Sequence, residues 1–425
     1  MPNFSIPLSG LDADSTALNT IANNLSNMSS VGYKAQAASF SDLFYQSMGT
    51  TGAGDAIQVG AGAKIAGIES NFSQGASNTT GMSSNDMEVD GSGFFVVSNG
   101  SQQFLTRNGQ FTSDTSGHLV ASSGQALMGY QASNGVIGAT TLSAITLPTK
   151  GQVMNPQASS EFTISANLDS AAAANSTSSS TVPVYDSLGQ SHNATVTYTK
   201  TGNNTWDYSI ALPNADFASG ACTPVTGTLT FDANGNLASV TTGGATSTVG
   251  TASGDISSLP VSFTGLADGG SDLSMKWNLL NTSGGQTLTQ VDSDPVTNSA
   301  VADGYAAGTY SGFTVDSAGS IQASYSNGQT QLVGQVALAD VTNEQGLQAM
   351  GNSLYRTTTA SGTANVGSAG SGALGQITDS ALEESNVDIS TEFSNLIVAQ
   401  RAFEANSKSI TTFDTVTQEA INMIH

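Results

Sequence analysis

Near the N-terminus, Phe4, Leu8, Leu11, Leu18, Ala22 and Leu25 recur in a four-three alternation, interrupted at Ser15 and widened by Ile21 and Met28. This spacing predicts an amphipathic helix of heptad character over residues 1–30. Ser5 is placed to cap its start, Pro7 falls in its first turn, and Gly32 is a stop signal. At the other end, Ile389, Phe393, Leu396, Phe403, Ile410, Ile421 and Ile424 follow the same alternation. Gln400, Ser407, Asp414 and Thr417 are its polar breaks, and Ile397, Phe413 and Val416 thicken the stripe. No Gly or Pro occurs from Ile377 to His425, and acids from Asp379 to Asp388 suit the positive end of a helix dipole. A helix over residues 389–424 would run about 54 Å at 1.5 Å per residue. Neither helix has a helical partner in the middle of the chain. The simplest expectation is that they pair with each other as a coiled coil, so that the chain leaves one end, builds outward and returns.

Between the ends the pattern turns to period two. Trp206, Tyr208, Ile210 and Leu212 alternate, and Val196 and Tyr198 oppose Thr195, Thr197 and Thr199. Short β-prone runs are separated by Asn99-Gly100, Asn108-Gly109 and Gly117, which are hairpin signals because Asn and Gly tolerate positive φ. One turn recurs as Asp-x-x-Gly-x-(Leu/Ile) at Asp114, Asp232 and Asp316, with a related form at Asp186–Gly189. There the Asp side chain accepts a backbone N–H and Gly supplies the left-handed residue. A small-residue spacer over residues 170–180 and the run Asp292-Ser-Asp-Pro295 bracket a central segment. The fold class is therefore multidomain α+β, with coiled-coil helices at both ends and mainly antiparallel inner and outer β domains, barrel- or sandwich-like.

Composition narrows the function. Of 425 residues, 9 are Lys or Arg and 32 Asp or Glu, a net charge of −23. The cations are scattered, which excludes a phosphate-neutralising nucleic-acid surface and docking on anionic lipid. Cys222 is the only cysteine, so no intrachain disulfide forms. No run of 18 apolar residues is present, so no membrane insertion is expected. The first ten residues lack the basic and apolar regions of a signal peptide. The chain is expected either to stay in the cytoplasm or to leave it by a route without a cleaved signal.

Several segments resemble the flagellar rod and hook protein family. They are Ser9-Gly-Leu-Asp-Ala with Ile21-Ala-Asn-Asn-Leu-Ser-Asn and Gly32-Tyr-Lys34, then Asp86-Met-Glu-Val-Asp-Gly-Ser-Gly-Phe-Phe95, then Phe104-Leu-Thr-Arg-Asn-Gly-Gln-Phe111. The C-terminal run Val387-Asp-Ile-Ser-Thr-Glu-Phe…Ala-Gln-Arg-Ala-Phe-Glu-Ala-Asn406 is similar to the family's terminal signature, with Phe403 where Tyr is common. Val182-Pro-Val-Tyr-Asp-Ser-Leu-Gly-Gln-Ser-His192, Asp303-Gly-Tyr-Ala-Ala-Gly308 and Tyr325-Ser-Asn-Gly328 resemble the hook branch. The resemblance covers residues 1–130 and 303–425 well and the central segment only in patches.

This resemblance implies a non-enzymatic subunit of a curved hollow tube outside the cell, a universal joint that passes motor torque from rod to filament. It implies export through the flagellar type III apparatus. It also implies partners: further copies of the chain, the distal rod protein, the hook cap protein and the hook–filament junction protein. The domain reading is a polymerisation helix over 1–30 and a linker with a β-hairpin over 31–79. An inner β domain over 80–155 and 298–368, an outer β domain inserted over 156–297, and a second polymerisation helix over 369–425 complete it. The residues expected to pair and polymerise the helices are Leu8, Leu11, Leu18, Ile21, Leu25, Ile389, Phe393, Leu396, Phe403, Ile410, Ile421 and Ile424.

No catalytic, cofactor-binding or metal-ligating residues are expected. His118, His192 and His425 are dispersed, and Asp232-Ala-Asn-Gly-Asn236 has Gly243 where a calcium loop needs its bidentate Glu. No P-loop, dinucleotide fingerprint or nucleophile elbow is present. A distal rod or junction protein is the alternative within the family, and a β-rich surface adhesin the more remote one.

Overall fold

A computed structural model describes residues 4–50, 56–138 and 141–423, which form two compact units. Unit 1 holds both chain ends, residues 1–149, 312–324 and 330–425; unit 2 holds residues 150–311 and 325–329.

In unit 1, helix α1 spans Ser5–Ser26. Ser5 is the first helical residue rather than the cap: Phe4 precedes it with helical backbone angles and no side-chain cap bond. A hairpin follows, with β1 (Gln36–Asp42) antiparallel to β4 (Ala63–Ser70), and β2 (Gln46–Thr50) antiparallel to β3 (Ala56–Val59). Helix α2 spans Ile389–Asn422, about 51 Å at 1.5 Å per residue. Its cap is Asp388, whose carboxylate accepts a 2.8 Å bond from the Thr391 amide. Ile424 lies outside the described residues.

The β part of unit 1 is an antiparallel sheet. Thr330–Asp340 pairs with residues 320–324 on one side and with Ala126–Gln131 on the other. The sheet continues through Phe94–Ser98, Gln103–Thr106, Leu354–Arg356 and Gln348–Gly351. Phe94, Val96, Leu105, Ala339, Val341 and Tyr355 form one of its buried clusters.

Unit 2 stacks two sheets on one core. Six strands from Thr177–Tyr185 to Ala245–Thr248 form an antiparallel meander in chain order. In the other sheet, Glu161–Asp169 runs parallel to Leu273–Asn278 and Leu288–Val291 and antiparallel to Val296–Ala302. The alternating side chains point inward as their period requires: Val196, Tyr198, Trp206, Tyr208, Ile210 and Leu212 are all buried. Trp277 sits at the centre, stacked on Phe162 and edge-on to Tyr208. None of the described sheets closes into a barrel, so the arrangement is a sandwich.

Three features differ from the sequence reading. The helix expected over 369–425 begins only at Ile389; before it Gln376–Asp379 and Leu382–Glu383 are strands paired with Met87–Asp90 and Ser77–Asn78. The spacer at residues 170–180 ends in strand, because Thr177–Tyr185 begins inside it. Residues 298–311, expected in the inner domain, cluster with unit 2, because Val296–Ala302 is the return strand of its smaller sheet. The Asp turns form as their chemistry dictates: Asp114, Asp186, Asp232 and Asp316 each accept two backbone amides on Oδ1.

Candidate functional site

The feature that distinguishes this chain from an ordinary β protein is the base of unit 1, where the two ends meet. Helices α1 and α2 lie side by side and antiparallel. Phe4 meets Phe413 edge-on at 6.1 Å, Asp14 accepts a 2.8 Å bond from Asn406, and Asn24 donates a 2.9 Å bond to Glu392. Apart from the Phe4–Phe413 pair, their contact runs through small and polar residues. Pro7, Ala13, Thr20 and Asn24 are the buried residues of α1, and Ala399 is the one buried residue among those described in α2. Gly10 lies so close to Asn406 that a Cβ would stand 2.7 Å from its amide nitrogen. Small residues let backbones approach. The stripe Gly10, Ala13, Ala17, Thr20, Asn24 has the same three-four spacing as the large residues beside it.

The large residues named from sequence are only partly engaged. Leu11, Leu18, Ile21 and Leu25 on α1 and Leu396, Phe403 and Ile410 on α2 are half-buried. Leu8 (59%), Ile389 (46%), Phe393 (49%) and Ile421 (53%) stay exposed, so none of these four is enclosed within the single chain. Ile397, Val398 and Val416 are exposed too, as are Phe40, Phe44, Tyr45 and Ile68 of the hairpin. A groove of about 350 Å³ runs between α1, β1 and α2, lined by Ala17, Ile21, Ala38, Phe40, Val398 and Ala402 among others. Burying a large apolar side chain contributes roughly 1.5–3 kcal/mol, so a single chain leaves much of that gain unrealised on these faces.

Below the helices the ends are clamped by hydrogen bonds. Asn24 donates to the Gln36 carbonyl (2.7 Å) and to Glu392, and its side-chain oxygen accepts from the Gln36 amide (2.9 Å) and the Tyr33 hydroxyl (3.2 Å). Asn386 accepts from the Ala35 amide and donates to the carbonyls of Asn71 and Ser73. Gly32 has φ +64°, and its amide reaches the Glu383 carbonyl at 2.8 Å. A Cβ there would stand 2.6 Å from the Arg107 backbone, so both angle and space require Gly.

The clamp centres on Glu383. One oxygen accepts from Lys34 Nζ (2.6 Å) and the Gly75 amide (2.7 Å); the other faces Arg107 (3.4 Å). All three side chains are buried. Burial pulls the Lys34 ammonium below its ordinary value, against the opposing hydrogen bond from Glu383. Burial raises the Tyr33 phenol, helped by the Glu392 charge, and pushes Tyr355 up to about 12. Arg107 also lies 5.4 Å over the Phe94 ring, tying the clamp to the sheet core. Sequence reading fixed on large apolar residues and missed Asn24, Glu383, Asn386 and the small-residue stripe. The signal for the stripe was spacing without hydrophobicity; for Glu383 there was none, since its partners lie far along the chain.

This arrangement offers a held-together base with apolar faces and no convergent catalytic groups among its described residues. The comparisons with known proteins agree with an assembly role. Residues 6–34 match the flagella basal body rod protein family and residues 88–167 the flagellar hook protein FlgE/F/G D1 domain. Residues 155–305 match the flagellar basal body protein FlaE D2 domain, and 378–423 the flagellar basal body rod FlgEFG protein C-terminal family. The flagellar hook protein FlgE of Salmonella typhimurium is 33% identical over 99% of this chain and 100% of its own length. The FlgE of Escherichia coli is 33% identical over 99% of each. That of Treponema pallidum is 31% identical over 98% of each. The solved flagellar hook protein FlgE2 of Helicobacter pylori shares the fold, with a TM-score of 0.52 at 14% identity over 72% of this chain and 98% of that one. By length, domain content and identity together, the chain belongs to the flagellar hook protein FlgE family.

Proposed function

We propose that the chain is the structural subunit of a bacterial flagellar hook, assembling with copies of itself through α1 and α2 into a curved hollow tube that transmits torque as a universal joint. The observation that carries this reading is the mismatch at the base. Apart from the Phe4–Phe413 pair, the helices touch each other through small and polar residues, while Leu8, Ile389, Phe393 and Ile421 remain exposed. An apolar face of this extent on a long helix is stabilised when neighbouring copies cover it. In the polymer, Leu11, Leu18, Ile21, Leu25, Leu396, Phe403 and Ile410, with Ile424 beyond them, would complete coiled-coil-like seams. Helices α1 and α2 would form the permanent inner wall.

The β part of unit 1, and unit 2 with residues 150–311 and 325–329, would form the outer layers. Their Ser/Thr/Gly-rich surfaces suit weak, exchangeable contacts, which a bending tube needs because its inner and outer curves change length. The role calls for no catalytic group and no cofactor. It places the protein outside the cell, delivered by the type III export apparatus. Its neighbours would be the distal rod protein, the hook cap and the hook–filament junction protein.

The test is electron microscopy of the purified full chain at high concentration with a precipitating salt. Short, curved, hollow tubes are expected. A second preparation lacking residues 1–26 and 389–425 should form no tubes yet keep its β signal in circular dichroism. Dispersed monomers of the full chain, or tubes from the truncated one, would defeat the reading.

A further inference from the structure

Unit 2 brings Asp216 and Asp268 together with the neighbouring pair Asp186 and His192. His192, on strand Ser191–Gly202, is 4% exposed. Its Nδ1 lies 2.8 Å from Asp216 Oδ2. Its Nε2 lies 3.5 Å from Asp268 Oδ2 and 3.9 Å from Asp186 Oδ2. Each of the last two carboxylates is aimed by backbone amides: Asp186 Oδ1 accepts from Leu188 and Gln190, and Asp268 Oδ1 from Gly270. That leaves both Oδ2 atoms turned toward the imidazole. Asp186, fully buried, has no hydrogen-bond partner on Oδ2, and neither has His192 on Nε2.

In the tautomer that donates from Nδ1 to Asp216, Nε2 presents a lone pair toward both carboxylates. Three acceptors then converge with no donor between them, an arrangement that a low-dielectric interior penalises unless a positive charge sits at the centre. The spacing fits a bound cation. A tetrahedral site with bonds near 2.0–2.1 Å sets its ligand atoms about 3.4 Å apart, and the three donor atoms here all lie within 4.8 Å of one another. A ring nitrogen among the donors disfavours calcium and magnesium, which take oxygen, and favours a zinc-like ion. The carboxylate on the far ring nitrogen is the usual orienting partner of a metal-binding histidine. Gly270 leaves room, since a Cβ there would stand 2.4 Å from Asp186 Oδ2. Asp268, 26% exposed at its side chain, opens the cluster to solvent.

We propose that Asp186, His192 and Asp268 bind one divalent transition cation of the zinc class, with Asp216 as the positioning residue for His192. The ion would cross-link the turn at Asp186–Gly189, the 3-10 helix Asn214–Asp216 and the loop at 266–270, fastening three loops at one edge of the sandwich.

The experiment uses the full chain, stripped with a chelator and titrated with Zn²⁺ by calorimetry, then with Co²⁺ by visible absorption. One Zn²⁺ per chain is expected. Asp268→Asn, at a partly exposed position, should weaken binding at least about tenfold, and Asp216→Asn by about tenfold. His192→Asn should abolish the Co²⁺ band. Zn²⁺ should raise the melting temperature of the wild type and not of Asp268→Asn. Asp292→Asn, an exposed acid elsewhere in the unit, should change nothing. No saturable uptake by the wild type, which is the outcome if Nε2 simply takes a second proton, overturns the proposal. So does uptake that Asp268→Asn and His192→Asn leave intact.

Discussion

Unit 2 and the terminal helices solve the burial problem in opposite ways. In unit 2 the apolar positions of both sheets close on one core around Trp277, and large side chains such as Phe162, Ile164, Tyr198 and Leu229 are fully enclosed. In α2, a helix of 34 residues, Ala399 alone among the described residues is buried. Both regions carry regular apolar patterning in sequence, of period two in unit 2 and of heptad spacing in the helices. What differs is where the covering surface comes from: another strand of the same chain in one case, and in the reading proposed above another copy in the other. Stability measured on a single chain should therefore report unit 2 and the clamp. Stability of an assembly should report the helices.

The largest effect expected is at the sandwich core. Trp277→Ala should cost about 3–5 kcal/mol in urea unfolding followed by the fluorescence of Trp206, since it removes the ring on which Phe162 and Tyr208 pack. A loss below about 1 kcal/mol would mean the core is not the closed unit described. Next comes the clamp. Glu383→Ala leaves Lys34 and Arg107 buried without their carboxylate and should cost about 3–5 kcal/mol. Hydrogen exchange at the Gly32 amide should rise with it.

Asn24→Ala strips partners from both backbone groups of Gln36 and from Glu392, and should cost about 1–3 kcal/mol. Phe393→Ala, on the exposed face, should change single-chain stability by no more than about 0.5 kcal/mol. It should nevertheless sharply reduce tube yield, which is the sharpest separation of the two regions. Equal effects on both measurements would erase the comparison.

The smallest effect concerns the cap of α2. Amide bonds, the Thr391 one first, hold the Asp388 carboxyl below its ordinary value of 3.8. A depressed folded value means this contribution is fully present above the unfolded value and is lost as pH falls through the folded one. Helix protection at Thr391 should thus fall on acidification below about pH 4. Asp388→Asn, which keeps a capping oxygen, should flatten that dependence.

Much of this architecture was legible from the residues. Long apolar periodicity placed both helices, period-two alternation placed the strands around Trp206 and Val196, and the Asp-x-x-Gly turns formed where their chemistry required. Hydrophobic weighting follows Leu8, Leu11 and Leu18, whereas the close approach to α2 is at Gly10, against Asn406, in the small-residue stripe beside them. The strand Val296–Ala302 gave no signal, because its residues are mostly exposed and its pairing with Glu161–Asp169 depends on tertiary contact. The cluster around His192 was invisible for a related reason: its acids arrive from three separate loops.

The clamp has a kinetic consequence. Its bonds join residues 349 and 368 positions apart, from Lys34 to Glu383 and from Asn24 to Glu392. Closing so long a loop costs entropy that no neighbouring contact repays beforehand, so such contacts form late. The six-stranded meander of unit 2 pairs in chain order and is ready earlier, whereas the sheet of unit 1 also draws strands from near the C-terminus, such as Leu354–Arg356. A chain emerging gradually would thus carry a finished meander while its two ends still wait for each other. Competence to join other copies would arrive only with the final segment, as a single late event rather than a gradual gain.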